Sequence, residues 1–274
     1  KLDGYQIEKQ IHASARSQLY LVTDLADPAQ RQLVMKTPSV NFEDDLAYIE
    51  RFVMESWIAQ RIDSPHVVKF SAVHKPHRFM FSLMEYLEGP TLETWMQQHQ
   101  PAEISIVVDI AEQLMKGLRA FHRRDTLHQD LKPANIILEK GKKAVIVDFG
   151  SCYAAGIDEI AAPLVRDKIL GTASYSAPEY HNNVRPDARS DLFSLGVIVY
   201  EMLTGHRPYG EKYDQCTEFA EFLRLPYTPA YHHNPLVPVW MDGAIKKAVN
   251  LNQTLRYEDV SEFIHDLKIP NRNF

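Results

Sequence analysis

The chain has 274 residues, a formal net charge of -6, 45% hydrophobic residues and 24% charged residues. That length allows one two-layer domain with a substantial core, or two lobes with a cleft between them, and the composition is that of an ordinary soluble globular protein. The acidic balance argues against a general nucleic-acid binder, because phosphate contacts along a nucleic acid need a basic surface.

Taken in chain order, Gln32-Leu33-Val34-Met35-Lys36 reads as a strand ended by Pro38. From Asp44 to Ile62 the apolar residues Leu46, Ile49, Val53 and Trp57 recur at helical spacing and predict one amphipathic helix. Phe79 to Tyr86 reads as a strand, and Glu88-Gly89-Pro90 as a break that sets the expected lobe boundary. Ile104 to His122 is a second helix. Asn135 to Leu138 and Ala144 to Val147 are short strands around the turn Lys140-Gly141-Lys142. Asp191 to Thr204 is apolar on nearly every face and predicts a helix buried through a core. Strands first and helices afterwards predict an α+β architecture of two lobes, 1–87 and 88–274.

The most apolar stretch, Leu192 to Leu203, is broken by Ser194, Gly196 and Glu201, so no membrane insertion by this segment is expected. Cys152 and Cys216 form no metal-ligand spacing and no disulfide framework, which fits a reducing cytoplasm. The chain opens Lys1-Leu2-Asp3-Gly4, without methionine or a signal-peptide pattern, and reads as a domain excised from something longer.

The most informative segment is His128-Gln129-Asp130-Leu131-Lys132-Pro133-Ala134-Asn135. Phosphoryl transfer needs an acceptor hydroxyl held in line and cations to neutralise developing charge, with little covalent chemistry. Asp130 can accept the proton of an attacking hydroxyl, Lys132 can set a cation against a transferred phosphate, and Asn135 offers an uncharged oxygen to a hard cation. Asp148-Phe149-Gly150 follows the apolar run Val145-Ile146-Val147, placing a second carboxylate at a strand end as a metal ligand.

These two segments together resemble the signature set of the protein kinase family, H-R-D-L-x-x-x-N and D-F-G. The resemblance runs from about Tyr5 to Leu267. It implies ATP as cofactor, with Mg²⁺ on Asn135 and Asp148 and Mn²⁺ as the alternative. Lys36 then stands where the family pairs the nucleotide phosphates, and Glu55 where it holds that lysine. Met84-Glu85-Tyr86-Leu87 resembles the hinge, with Glu85 and Leu87 binding adenine through backbone groups and Met84 guarding the deeper pocket. Leu19, Val34 and Ile137 would enclose the nucleotide. Gly171 to Glu179 resembles the end of an activation segment that receives a polypeptide, with Thr172 supporting Asp130 and Lys132, and Glu179 pairing with Arg256. Asp191 resembles the carboxylate that anchors the catalytic loop, and His128 is expected to pack under Phe149. Lys132 and Thr172 favour serine/threonine over tyrosine in a protein substrate.

The chain departs from the family pattern at the phosphate-covering loop, where His12, Ser14 and Ser17 stand in place of glycines, which alone approach phosphate freely. The expectation is weakened but real ATP binding, with Ser14 and Ser17 offering hydroxyls. Val34 replaces a smaller residue above adenine. Gln129 replaces the arginine that would pair with a phosphorylated activation segment, so catalysis independent of phosphorylation at Ser151, Thr172, Ser174 or Ser176 is expected. Neither His232-His233 nor His74/His77 has the companions of a metal site, and Cys152 reads as a plain small side chain. A pseudokinase scaffold and a small-molecule kinase are the competing readings. A finer likeness of Asp3-Gly4-Tyr5, Ala15 to Tyr20 and Lys36 to Phe42 is to bacterial proteins that fuse a 2C-type phosphatase to a kinase. It implies a phosphatase outside this chain and a membrane tether beyond Phe274.

Overall fold

The computed structural model describes every residue except 15–16, 40–44, 74–77, 149, 151, 155–172 and 183–184. The chain divides into two compact units, Lys1–Glu88 and Gly89–Phe274. Among the described residues no helix is long and apolar enough to cross a membrane.

The first unit is an antiparallel sheet with one helix. Its strands are β1 (Tyr5–Ala13), β2 (Ser17–Asp24), β3 (Gln32–Pro38), β4 (Phe70–Ser71) and β5 (Ser82–Glu85), ordered β1-β2-β3-β5-β4. Side chains alternate across each strand and opposite residues share a face. The pairs Tyr20↔Met35, Met35↔Leu83 and Val22↔Leu33 therefore lie on the face whose core is Tyr5, Val22, Met35, Phe81 and Leu83. The other face carries Leu19↔Lys36, Leu21↔Val34 and Val34↔Met84. Most of the residues expected around a nucleotide in this unit thus share one face.

The helix, α1 (Leu46–Ala59), starts where the Asp45 carboxylate accepts the Tyr48 N–H. Its buried residues are Phe52, Glu55, Ile58 and Ala59, whereas Leu46, Val53 and Trp57 are 76%, 54% and 46% exposed. The apolar stripe that predicted the helix is therefore not the stripe it buries. The buried face is roughly the opposite one: Glu55 turns inward there to an ion pair, flanked along the helix by Phe52 and Ile58. Trp57 lies under the Arg61 guanidinium, 4.3 Å from its ring centroid.

The second unit is mainly helical: α2 (Leu92–His99), α3 (Ile104–His122), α4 (Ala188–Thr204), α5 (Phe219–Phe222), α6 (Ala230–His233), α7 (Val239–Ala248) and α8 (Val260–Lys268). α3 has the ends expected of it. α4 is buried from Ser190 to Thr204 except at Glu201, as a helix apolar all round must be, and stops at Gly205 with φ 72°. It presses so closely on the end of α7 that a Cβ on Gly196 would stand 2.7 Å from Val249 Cγ1. Short strands β6 (Thr126–Leu127) and β9 (Tyr153–Ala154) pair, as do β7 (Ile136–Glu139) and β8 (Lys143–Ile146). The β7–β8 turn takes positive φ at Lys140 and Gly141 (51° and 72°), matching a tight hairpin. At the start of the unit a Cβ on Gly89 would lie 2.1 Å from the Leu138 carbonyl oxygen, and the Leu138 N–H donates to Pro90 O. Only glycine lets the chain pass over β7 there.

Candidate active site

In the first unit β3 presents Lys36 and α1 presents Glu55. Lys36 Nζ donates to both carboxylate oxygens at 2.7 Å, with side chains 12% and 6% exposed. A bidentate contact so shielded holds the ammonium at one point of the sheet face shared with Leu19, Val34 and Met84. Val34 and Leu87 are buried, and Leu19 and Ile137 half-buried, the last in the second unit. Glu85 is fixed at both ends of its residue: its N–H donates to Lys69 O, and its carboxylate accepts the Lys69 N–H, each at 2.9 Å.

In the second unit the loop from β6 to β7 gathers Asp130, Lys132 and Asn135. Asp130 Oδ2 accepts from Lys132 Nζ at 2.8 Å and from Asn135 Nδ2 at 3.2 Å, and Asn135 Nδ2 also donates to Asp130 O at 2.9 Å. Pro133 opens the short 3₁₀ turn that places Asn135. With its amide nitrogen committed to Asp130, Asn135 keeps its amide oxygen as the acceptor end. The Val147 N–H donates to Asn135 O at 3.0 Å, tying the end of β8, and so Asp148, to the same loop. Asp148 is half-buried and its Oδ1 accepts the Gly150 N–H. Asn135 and Asp148 are hard oxygen donors suited to a cation such as Mg²⁺. Among the described residues no cluster of three His, Cys, Asp or Glu side chains could hold a metal by itself.

The loop is held from beneath. Asp191, on α4, accepts the Gln129 N–H on Oδ1 (2.9 Å) and the His128 N–H on Oδ2 (3.0 Å), the anchoring role expected of it. It also accepts from His122 Nε2 at 2.9 Å, a residue the sequence did not single out. His128 is 1% exposed and packs edge-on against Phe121, ring centroids 5.4 Å apart. Its expected neighbour Phe149 lies outside the described residues.

The expected Glu179–Arg256 pair is present. Arg256 Nη1 and Nη2 donate to the two Glu179 oxygens at 2.7 and 2.8 Å, with side chains 0% and 3% exposed. Sequence reading did not find Ser190, whose hydroxyl also donates to Glu179. Nor did it find the set around Tyr175. The Tyr175 hydroxyl donates to Glu201, and burial and the Glu201 charge raise its pKa. Nearby, Arg207 contacts Ser174 and Asp214. These contacts join residues distant in sequence, and no spacing signals them.

In the glycine-poor loop the Ser14 N–H and hydroxyl both donate to Ser17 O, and Ser14 Oγ accepts the Ser17 N–H at 3.0 Å. Ser14 thus closes its own turn, so its hydroxyl is already engaged. Of the four positions whose phosphorylation is expected to be dispensable, Ser174 is 3% exposed and donates to Asp214. Ser151 and Thr172 lie outside the described residues, as do His74 and His77 and most of the activation segment.

The sequence matches the protein kinase domain family over residues 5–267. The serine/threonine-protein kinase PknA of Corynebacterium glutamicum is 33% identical over 211 residues, covering 75% of this chain and 44% of that protein. Serine/threonine-protein kinase PrkC of Bacillus subtilis is 27% identical over 265 residues, covering 96% of this chain and 40% of that one. This chain therefore spans less than half the length of these relatives. The crystal structure of the Mycobacterium tuberculosis PknI kinase domain superposes with a TM-score of 0.72 at 22% identity, covering 98% of this chain and 96% of that one. The α+β fold, with a β-sheet unit followed by a helical unit, is that of a kinase domain.

Proposed function

The chain belongs to the protein kinase domain family, and on that premise we propose that it transfers the γ-phosphate of ATP to serine or threonine hydroxyls of a protein substrate, itself included. The observation that carries this reading is the assembled loop in which Asp130, Lys132 and Asn135 bond to one another. Asp130 orients the acceptor hydroxyl and takes its proton, and Lys132 balances charge on the moving phosphoryl group. Lys36, set by Glu55, holds the nucleotide phosphates, and Glu85, Leu87, Leu19, Val34 and Ile137 hold its base. Asn135 and Asp148 would hold Mg²⁺, or Mn²⁺, which supplies charge neutralisation between phosphates when bound. The names of the relatives support the serine/threonine assignment.

Activity independent of activation-segment phosphorylation follows from Gln129, which offers no cation to a phosphate. A cytoplasmic location, a phosphatase fused outside the chain and a tether beyond it complete the reading; the cysteine usage supports the first, and the likeness of Asp3-Gly4-Tyr5, Ala15 to Tyr20 and Lys36 to Phe42 to phosphatase–kinase fusions supports the other two.

The test is transfer from Mg-ATP to the domain and to a generic basic protein, read by mass spectrometry, with Asp130→Asn as control. Phosphoserine or phosphothreonine that vanishes in the control supports the proposal. No transfer by folded protein across ATP, Mg²⁺ and Mn²⁺ concentrations refutes it and favours a scaffold, and Mg-ATP-dependent thermal shifts then tell a nucleotide-gated scaffold from a nucleotide-free one.

A further inference from the structure

We infer that His122 is a positioning residue for Asp130, acting through the Asp191 carboxylate and the backbone of the loop; this deepens, and rests on, the phosphotransfer reading. Asp191 is 1% exposed. Its Oδ2 receives both His122 Nε2 at 2.9 Å and the His128 N–H at 3.0 Å, and its Oδ1 receives the Gln129 N–H at 2.9 Å. Burial by itself raises the Asp191 pKa, but the hydrogen bond and charge of His122, followed by the charge and N–H of His128, outweigh it and hold it below the usual carboxylate range. Asp191 is therefore an anion, and His122 Nε2 is the donor of that contact. A buried carboxylate left to two peptide N–H groups lacks the partner that compensates its lost hydration.

The other end of the clamp is under strain. Gln129 has φ 65°, a left-handed conformation unfavourable for a residue with a side chain. Its own amide does not hold it there, since Nε2 is buried without a hydrogen-bond partner among the described residues. What holds it is the N–H contact to Asp191, and Asp130 is the next residue. The last turn of α3 thus grips the loop twice, through the Phe121 ring on His128 and through His122 on Asp191. Without the imidazole the carboxylate is free to turn, the Gln129 backbone relaxes, and Asp130 leaves the place that Lys132 and Asn135 set for it.

The experiment compares wild type, His122→Leu and His122→Gln in steady-state phosphotransfer and in amide hydrogen exchange. For His122→Leu the expected result is a kcat about tenfold lower, with KM for ATP within about twofold, which is about 1.4 kcal/mol of lost positioning. Exchange of the His128 and Gln129 amides should rise about tenfold, while the rest of the unit stays protected. His122→Gln, which retains a donor, should recover most of both losses. Should His122→Leu not fold, His122→Asn, whose donor is too short to reach, carries the same expectation. Unchanged kcat and amide protection in the folded variant, failure of the glutamine to restore them, or deprotection spread over the whole unit each overturns the inference. If wild type transfers no phosphate, the proposed function fails separately, and the exchange of the two amides alone decides whether His122 holds the loop.

Discussion

Removing one side of the Glu179–Arg256 pair should destabilise the second unit unequally, depending on which side is removed. Arg256→Leu leaves the Glu179 carboxylate, 2% exposed, with the Ser190 hydroxyl as its remaining side-chain donor. Stripping a buried ion of its partner costs about 3–5 kcal/mol. Glu179→Gln is milder. Arg256 keeps the Asn250 carbonyl at 2.7 Å, the Arg189 carbonyl at 2.9 Å and the Phe193 ring 4.8 Å away, and the new amide oxygen still accepts from it. The loss there is about 1–3 kcal/mol, the scale of a weakened buried hydrogen bond. With a urea slope of about 2–3 kcal/mol per molar, Arg256→Leu should lower the midpoint by about 1–2 M and Glu179→Gln by less than about 1 M. Tryptophan fluorescence and circular dichroism followed together would read the transition. In a double-mutant cycle, Arg256→Leu with Glu179→Leu should cost well under the sum of the single changes, because no lone charge remains. Equal single effects, or strictly additive ones, would refute the account of Glu179 as an anion sustained mainly by Arg256.

Lys36→Met should cut phosphotransfer at least about 100-fold, as loss of one charge-stabilising group does, and should also lower the melting temperature, because the buried Glu55 carboxylate loses the ammonium that accompanies it; an active Lys36→Met protein removes Lys36 from the site. Ser14→Gly frees the Ser17 N–H and should lower KM for ATP by about 2–10-fold without raising thermal stability, which initial rates against ATP concentration would check. Gly89→Ala drives a Cβ into the Leu138 carbonyl and should destabilise by about 1–3 kcal/mol, measured by denaturant unfolding, whereas a neutral result would mean that the chain does not cross β7 so closely. Asp191 has its folded-state pKa depressed, so its stabilisation is complete above the unfolded-state value and disappears as pH falls through the lower folded-state one. Unfolding free energy should therefore fall below about pH 4, and Asp191→Asn should flatten that acid limb while lowering stability at neutral pH.

Much of this arrangement was legible in the chain because its signals are local. α3 and α4 run for several turns with an unbroken pattern, and Asp187 and Gly205 close α4 by ordinary capping chemistry. The catalytic loop was legible for a different reason: three polar groups at fixed spacing are useful only if the backbone between them is shaped to bring them together, and the 3₁₀ turn at Pro133 does that. α1 shows where the method stops. Its periodicity announced a helix but pointed to Leu46, Val53 and Trp57, which face water. Period alone measures whether an apolar stripe exists. It cannot weigh that stripe against the far face of the helix, which carries Glu55, whose partner lies on another element.

The same limit explains what was missed around the loop, and it suggests a sharper way to read the chain. Glu55, Asp191 and Glu179 are all at most 5% exposed, and each meets a basic side chain from a different element: Lys36, His122 and Arg256. To a composition count they are ordinary surface acids. Yet Asp191 lies within a run of buried residues that begins at Ser190, and Glu55 lies between Phe52 and Ile58 on the buried face of α1. A carboxylate set among such neighbours cannot remain charged without a donor, so its position alone demands a partner elsewhere in the chain. Lys36 and Arg256 could be assigned to that demand through family likeness, whereas His122, at the end of a helix and outside any motif, became visible only once the fold brought it to Asp191.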